Sequence, residues 1–248
     1  MFSTDRKIRR GVMALALFAA MGGTALAQTI VVRAGGPSAA RYPAGKPVAG
    51  GSVTLAAGDT LTILDGKGTR TLRGPGTFSL AAASGAATNT SFTRLVSTQN
   101  KRRARTGAVR NVGGEAAPRP TNLWDVDTSR GGTFCAAAST APRLWRADKE
   151  RAAKLVLTDE AGRASDVNFA VGAQEAEWPM GAAKPAAGAR YTLARADKGT
   201  SVRVTFAAID ADLANPAALA GALISQDCQA QYDLMITAIE ADADKTGD

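Results

Sequence analysis

The chain has 248 residues, with 30 Lys and Arg against 22 Asp and Glu, two cysteines and no histidine. The lack of histidine excludes Ser-His and Cys-His dyads and any His-ligated zinc or haem. Two cysteines are too few for a four-thiolate zinc or iron-sulfur centre. Aromatic residues at 5% argue against a base-stacking surface, so no nucleic-acid partner is expected.

The N-terminus reads as an export signal. Arg6, Lys7, Arg9 and Arg10 precede an apolar stretch from Gly11 to Ala27 that ends in Ala25-Leu26-Ala27, an A-x-A cleavage pattern. Residues 1–27 are therefore expected to be a signal peptide cleaved after Ala27, leaving Gln28 first. Arg9-Arg10 leaves both general and twin-arginine export open. An N-terminal inner-membrane anchor is the alternative, although 17 residues containing three glycines are short for a membrane span. The Ala/Gly/Arg-rich composition fits a bacterial protein of the periplasm, or one secreted beyond it. Loss of the four basic residues and Asp5 lowers the formal net charge from +8 to +5. That balance is too mild to dictate a polyanionic partner.

An even cysteine count in an oxidising compartment reads as a disulfide, here Cys135–Cys228. A catalytic thiol would have to be activated by Lys or Arg alone.

Residues 28–98 read as a small β module. Thr29–Arg33 is a β-branched run, and Ser52–Leu55, Thr60–Leu64, Thr69–Arg73 and Thr77–Leu80 follow between turns. Apolar residues alternate with polar ones at Val53/Leu55 and Leu61/Ile63, as in half-buried strands. Ala57-Gly58-Asp59, Asp65-Gly66 and Gly74-Pro75-Gly76 supply the turns. With this punctuation, Pro47–Leu80 resembles the periplasmic FecR-type β domain, whose theme is G-D, strand, strand, D-G-x, strand, L-x-P-x-S, strand. The resemblance spans 34 residues and stops where small residues take over from Ala81 to Ser91. It implies a β module that touches a protein partner or the envelope, since FecR proteins relay surface signals to anti-sigma regulators.

Residues 99–120 carry Lys101, Arg102, Arg103, Arg105, Arg110 and Arg119 against Glu115 alone. Without apolar periodicity the segment is expected to be a flexible basic linker. Lys101, Arg102, Arg103, Arg105 and Arg110 are the candidates for electrostatic docking, through peripheral contact with an anionic membrane or envelope polymer.

Residues 121–212 read as an antiparallel β-sandwich, immunoglobulin-like in pattern. Strand candidates are 132–136, 143–147, 154–158, 166–171, 190–194 and 201–206, with turns at 159–162 and 197–200 and a bend at Trp178-Pro179. A C-terminal helix over 213–242 is expected to pack on the sandwich. Asn215 suits its N-cap and Pro216 its first position, while Ile224, Cys228, Tyr232, Met235 and Ile239 form an apolar face. Residues 243–248 are expected to fray. The whole is a mainly β chain: a small N-terminal β module, then a sandwich with a C-terminal helix.

No catalytic constellation, cofactor site or metal site emerges. Asp125/Asp127 and Asp210/Asp212 are D-x-D pairs whose carboxylates share one strand face. They would suit a hydrolase using paired aspartates. Trp124, Trp145 and Trp178 would suit a carbohydrate- or envelope-polymer-binding surface. The favoured reading is an exported, non-catalytic interaction or sensory-accessory module with a protein partner in the cell envelope.

Overall fold

A computed structural model describes residues 29–65, 68–80, 90–97, 118–179 and 185–243. The fold is mainly β. In the N-terminal lobe, β1 (Ile30–Gly35), β3 (Thr60–Asp65) and β4 (Gly68–Arg73) form an antiparallel sheet in the order β1-β3-β4, and β2 (Ser52–Leu55) pairs with β5 (Gly76–Ser79). The expected alternation sets the faces. Val53, Leu55, Leu61, Ile63 and Leu72 join Val31 and Leu80 in a buried core, while intervening threonines stay at the surface. Asp65 lies opposite Gly68, as a two-residue hairpin connection requires. The strand reading of 28–98 stops at Ser79. Beyond it Thr90–Val96 forms a short helix, α1, because Phe92 and Leu95, three residues apart, bury on one side of a helical turn.

Among the described residues the second lobe holds eight strands: β6 (Asp125–Asp127), β7 (Gly132–Ala137), β8 (Arg143–Trp145), β9 (Ala153–Asp159), β10 (Ala164–Phe169), β11 (Glu175–Glu177), β12 (Arg190–Arg195) and β13 (Thr200–Ile209). They make a five-stranded sheet, β10-β9-β12-β13-β7, facing a three-stranded one, β11-β8-β6. Val126, Phe134, Leu144, Leu155, Val167, Leu193 and Phe206 draw both sheets onto one core. The sandwich is antiparallel at β9–β10, β9–β12, β12–β13 and β8–β11, but β7–β13 and β6–β8 are parallel. The departure from a purely antiparallel sandwich has a topological cause. The chain leaves β6, crosses to the other sheet for β7 and returns for β8, so the returning strand repeats the direction of β6.

The single helix expected over 213–242 is two helices, α2 (Pro216–Ser225) and α3 (Gln229–Ala243). The Asn215 side chain accepts from the N–H groups of Ala217 and Ala218, capping α2 as expected. At its other end Asp227 adopts φ 56° and the Cys228 N–H reaches back to Leu223 O at 2.8 Å. That left-handed residue with a six-to-one bond is a Schellman stop. It redirects the chain before α3 begins, so Cys228 sits at the corner between the helices.

The helices pack on both lobes. Leu219, Leu223, Tyr232, Met235 and Ile239 share one core with Ile30 and Leu64 of the first lobe, Phe92 and Leu95 of α1, and Trp124 and Cys135 of the second. Each fully buried aliphatic side chain there contributes about 1.5–3 kcal/mol of transfer free energy. Among the described residues no helix is long and apolar enough to cross a membrane.

Candidate functional site

The sandwich leaves four edge strands, β10 and β7 in one sheet and β11 and β6 in the other, each with one pairing partner. Two of them, β6 and β7, border the same cleft of about 360 Å³, floored by Val204 and Phe134 and walled on one side by α3.

Hydrogen bonding along β7 shows which of its backbone groups are available. In a parallel pair alternate residues turn both N–H and C=O away from the partner. Cys135 and Ala137 face outward from β13 and both are satisfied by side chains. The Gln231 Oε1 accepts from Cys135 N–H at 2.6 Å, and its Nε2 donates to Cys135 O at 3.0 Å. The Thr140 hydroxyl does the same for Ala137. Thr133, two residues before Cys135, faces the same way into the cleft, and among the described residues no side chain covers its peptide N–H and C=O. The preceding glycines allow access to it. Gly132 holds φ 123°, and a Cβ on Gly131 would meet Arg203 O at 2.9 Å.

Across the cleft, β6 turns Val126 toward β8, because Arg143 N–H reaches Trp124 O and Thr128 N–H reaches Trp145 O. Asp125 and Asp127 therefore turn their peptide groups away from β8, where Asn122 O accepts from Asp125 N–H at 3.3 Å and Asp127 O accepts from Arg130 N–H at 3.2 Å, so Asp125 C=O and Asp127 N–H are the groups left to the cleft side. The Asp125 side chain is fully buried, and Arg143 donates to its Oδ1 from Nε at 3.0 Å and Nη2 at 2.7 Å. Oδ2 has no hydrogen-bond partner among the described residues. Burial pushes this carboxyl up to about 6, with Arg143 pulling in the other direction. Asp127 is committed locally. Its Oδ1 accepts from the N–H and hydroxyl of Ser129, and its Oδ2 lies 3.7 Å from Arg130.

Three of the four aspartates in the D-x-D pairs thus do structural work. Asp125 anchors β6 to β8, Asp127 shapes the turn into β7, and Asp212 accepts from Ala214 N–H in the turn before α2. The tryptophans do not form a sugar-binding face. Trp124 and Trp145 are buried, with Trp124 donating to Val96 O at 3.0 Å, and half-buried Trp178 lies edge-on to Tyr191 and Phe206 at the margin of the sandwich core. Lys101, Arg102, Arg103, Arg105 and Arg110 lie outside the described residues, as does the 1–27 segment. Arg119 does come into view, donating to Thr237 of α3 at 3.2 Å beside the cleft.

Cys135 and Cys228 are joined, with Cα atoms 5.9 Å apart across 93 residues of sequence. The pair is wholly buried, and such a bond is compatible with an oxidising compartment. It fixes the α2–α3 corner to β7, so that α3 carries Gln231 to the strand edge. Sequence reasoning found both cysteines but missed Thr133 and Gln231. An open strand edge has no sequence motif, and a glutamine on a helix reads as a solvated residue. Among the described residues no group of three or more acidic or cysteine side chains is placed to hold a metal ion. No family model, curated protein or solved structure matches this chain.

Proposed function

We propose that this chain is an exported bacterial envelope protein that acts as a non-catalytic interaction module, and that it takes an extended segment of a protein partner into the seam between β6 and β7. The observation that carries the reading is the uncovered peptide group of Thr133 beside side-chain-capped Cys135 and Ala137. A strand laid in the seam would hydrogen-bond to Thr133 and meet the Asp125 C=O and Asp127 N–H, the Asp125 N–H and Asp127 C=O being taken by Asn122 and Arg130. This is strand addition, in which main-chain pairing supplies affinity and flanking side chains supply specificity. The FecR-type resemblance of Pro47–Leu80 supports the same class of role, a periplasmic β protein that relays through contact. The basic, apolar and A-L-A order of residues 6–27 supports export with Gln28 as the mature start.

The paired-aspartate hydrolase is the weaker reading. Asp125 has the raised carboxyl that a general acid needs, but its side chain is sealed from solvent and held by Arg143.

A photo-crosslinking residue at Thr133, introduced into the mature protein in the producing bacterium, tests the seam. A protein adduct is expected from Thr133 and not from Thr200, an exposed position at the far end of β13. Equal labelling at both positions, or hydrolytic turnover that Asp125→Asn abolishes, would overturn the proposal. Intact mass of the periplasmic protein should show loss of 27 residues.

A further inference from the structure

The N-terminal lobe has one-signed surface charge. Its described residues, 29–65 and 68–80, include seven charged side chains: Arg33, Arg41, Lys46, Asp59, Asp65, Arg70 and Arg73. Both acids are buried and occupied. Asp59 accepts from Ser38 N–H at 2.8 Å and Ala56 N–H at 2.5 Å, and the bonds from Ser38 hold its carboxyl below the ordinary range. Asp65 lies 3.2 Å from Arg70 Nε. The charge left at the surface is cationic.

Register places part of that charge on one sheet face. Arg33 lies opposite Thr62, and Thr62 opposite Thr71, in one cross-strand row. Gly35, Thr60 and Arg73 form the next row on the same face. Two arginines therefore flank a strip of three threonines, diagonally across three strands at roughly 12 Å between Cα atoms. The Thr62 and Thr71 hydroxyls are 3.1 Å apart, so one donates to the other and leaves the second O–H free to donate outward. Arg41 sits at the same end, where its charge acts on Asp59 next to Thr60. Among the described residues, the carboxylate paired with this face is Glu240 of α3, 3.4 Å from Arg33, in an exposed pair of small energetic weight.

We propose that this Arg/Thr face of the β1-β3-β4 sheet is a docking surface for a linear polyanion of the envelope, a polymer with phosphodiester groups along its backbone. Guanidinium groups and hydroxyl donors on a flat strip match oxyanions repeated along a chain. A lipid bilayer is the poorer match, because stable peripheral binding needs an apolar anchor as well as charge. The one large exposed hydrophobic side chain among the described residues, Val171, belongs to the other lobe.

The test uses the mature full chain with long-chain inorganic polyphosphate as the probe, and phosphatidylglycerol vesicles as a separate arm. The double variant Arg33→Gln/Arg73→Gln removes the two cations from the strip. Arg163→Gln/Arg190→Gln removes two exposed cations from the second lobe, so both variants keep the 101–110 basic segment and the same net charge. Polyphosphate binding is expected to weaken steeply with salt, and to fall roughly tenfold in the first variant but not in the second. Matching thermal unfolding of the two variants would show that the fold is intact, both sets of residues being exposed. Equal loss in the two variants, no loss in the first, or binding to vesicles without binding to polyphosphate would overturn the proposal.

Discussion

The side chain of Gln231 stands in for a strand partner of Cys135, taking its N–H at 2.6 Å and giving a hydrogen bond to its C=O at 3.0 Å. The same amide nitrogen also donates to Leu123 O at 3.0 Å. One buried amide thus closes part of a sheet edge and ties it to the segment entering β6. Replacing Gln231 with Leu keeps the volume near that of the native residue but strands three backbone groups, the Cys135 N–H and C=O and the Leu123 C=O. Each unsatisfied group costs about 1–3 kcal/mol, so Gln231→Leu should destabilise the protein by at least about 3 kcal/mol. Denaturant unfolding at neutral pH measures it, and a loss below 1 kcal/mol would show that the edge finds other partners.

The Cys135–Cys228 bond closes a loop of 93 residues. Chain entropy alone gives such a crosslink up to about 4 kcal/mol. Denatured, unreduced protein should show no titratable thiol, and Cys228→Ser should lower the melting temperature by several degrees. A full complement of two thiols in periplasmic material would remove the covalent tie between α3 and β7.

How far the sequence revealed this arrangement depends on the range of the interaction. Val53/Leu55 and Leu61/Ile63 declared their strands because burial alternates with the residue period itself. Asn215 declared its cap because the groups it satisfies lie two and three residues away. β11 went unread and β6 was read only as a D-x-D pair on a strand face, since three-residue strands such as Asp125–Asp127 and Glu175–Glu177 are tied by cross-strand ion pairing to Arg143 and carry little apolar pattern. The break at Asp227 was hidden for another reason. Its left-handed backbone is occupied by an aspartate where a glycine would have announced it. The seam is the least legible part, because an unpaired peptide group at Thr133 depends on which strands failed to meet.

Stability should respond to pH in a window set by Asp125. Its carboxyl binds a proton more tightly in the folded protein, where burial raises it to about 6. Protonation therefore favours the fold. That contribution is fully present below the unfolded value of about 4, and is lost as the pH rises through 6. Asp148 and Asp197 act oppositely. Hydrogen bonds from Arg195 hold both carboxyls below their ordinary value, so their contribution is present above about 4 and is lost as the pH falls. The melting temperature should accordingly rise between pH 7 and about 4.5 and fall below about 3.5. The rise corresponds to at most about 3 kcal/mol for a shift near two pH units. Asp125→Asn keeps an acceptor for Arg143 but cannot titrate, and it should flatten the limb between pH 4 and 6. An unchanged limb in that variant would assign the pH response to another group.

The corner at Asp227 offers the opposite kind of substitution, one expected to stabilise. A non-glycine residue at φ 56° has its Cβ close to neighbouring backbone, at a cost of about 1 kcal/mol that aspartate only partly avoids. Asp227 is exposed and its side chain makes none of the helix-stop bonds, which run through the N–H groups of Gln226, Asp227 and Cys228. Asp227→Gly therefore removes strain and leaves the Schellman geometry in place, although the unfolded chain gains entropy with glycine. The net effect should be a gain of about 0.5 kcal/mol, while Asp227→Val, β-branched at a left-handed position, should cost about 1–2 kcal/mol. Because Cys228 follows directly, the valine variant should also slow oxidative refolding by misdirecting the thiol that must meet Cys135. Thermal unfolding of the two variants with the disulfide intact, beside thiol loss during refolding, measures both effects. Equal stability of the glycine and valine forms would mean that the corner relaxes out of its left-handed conformation in solution.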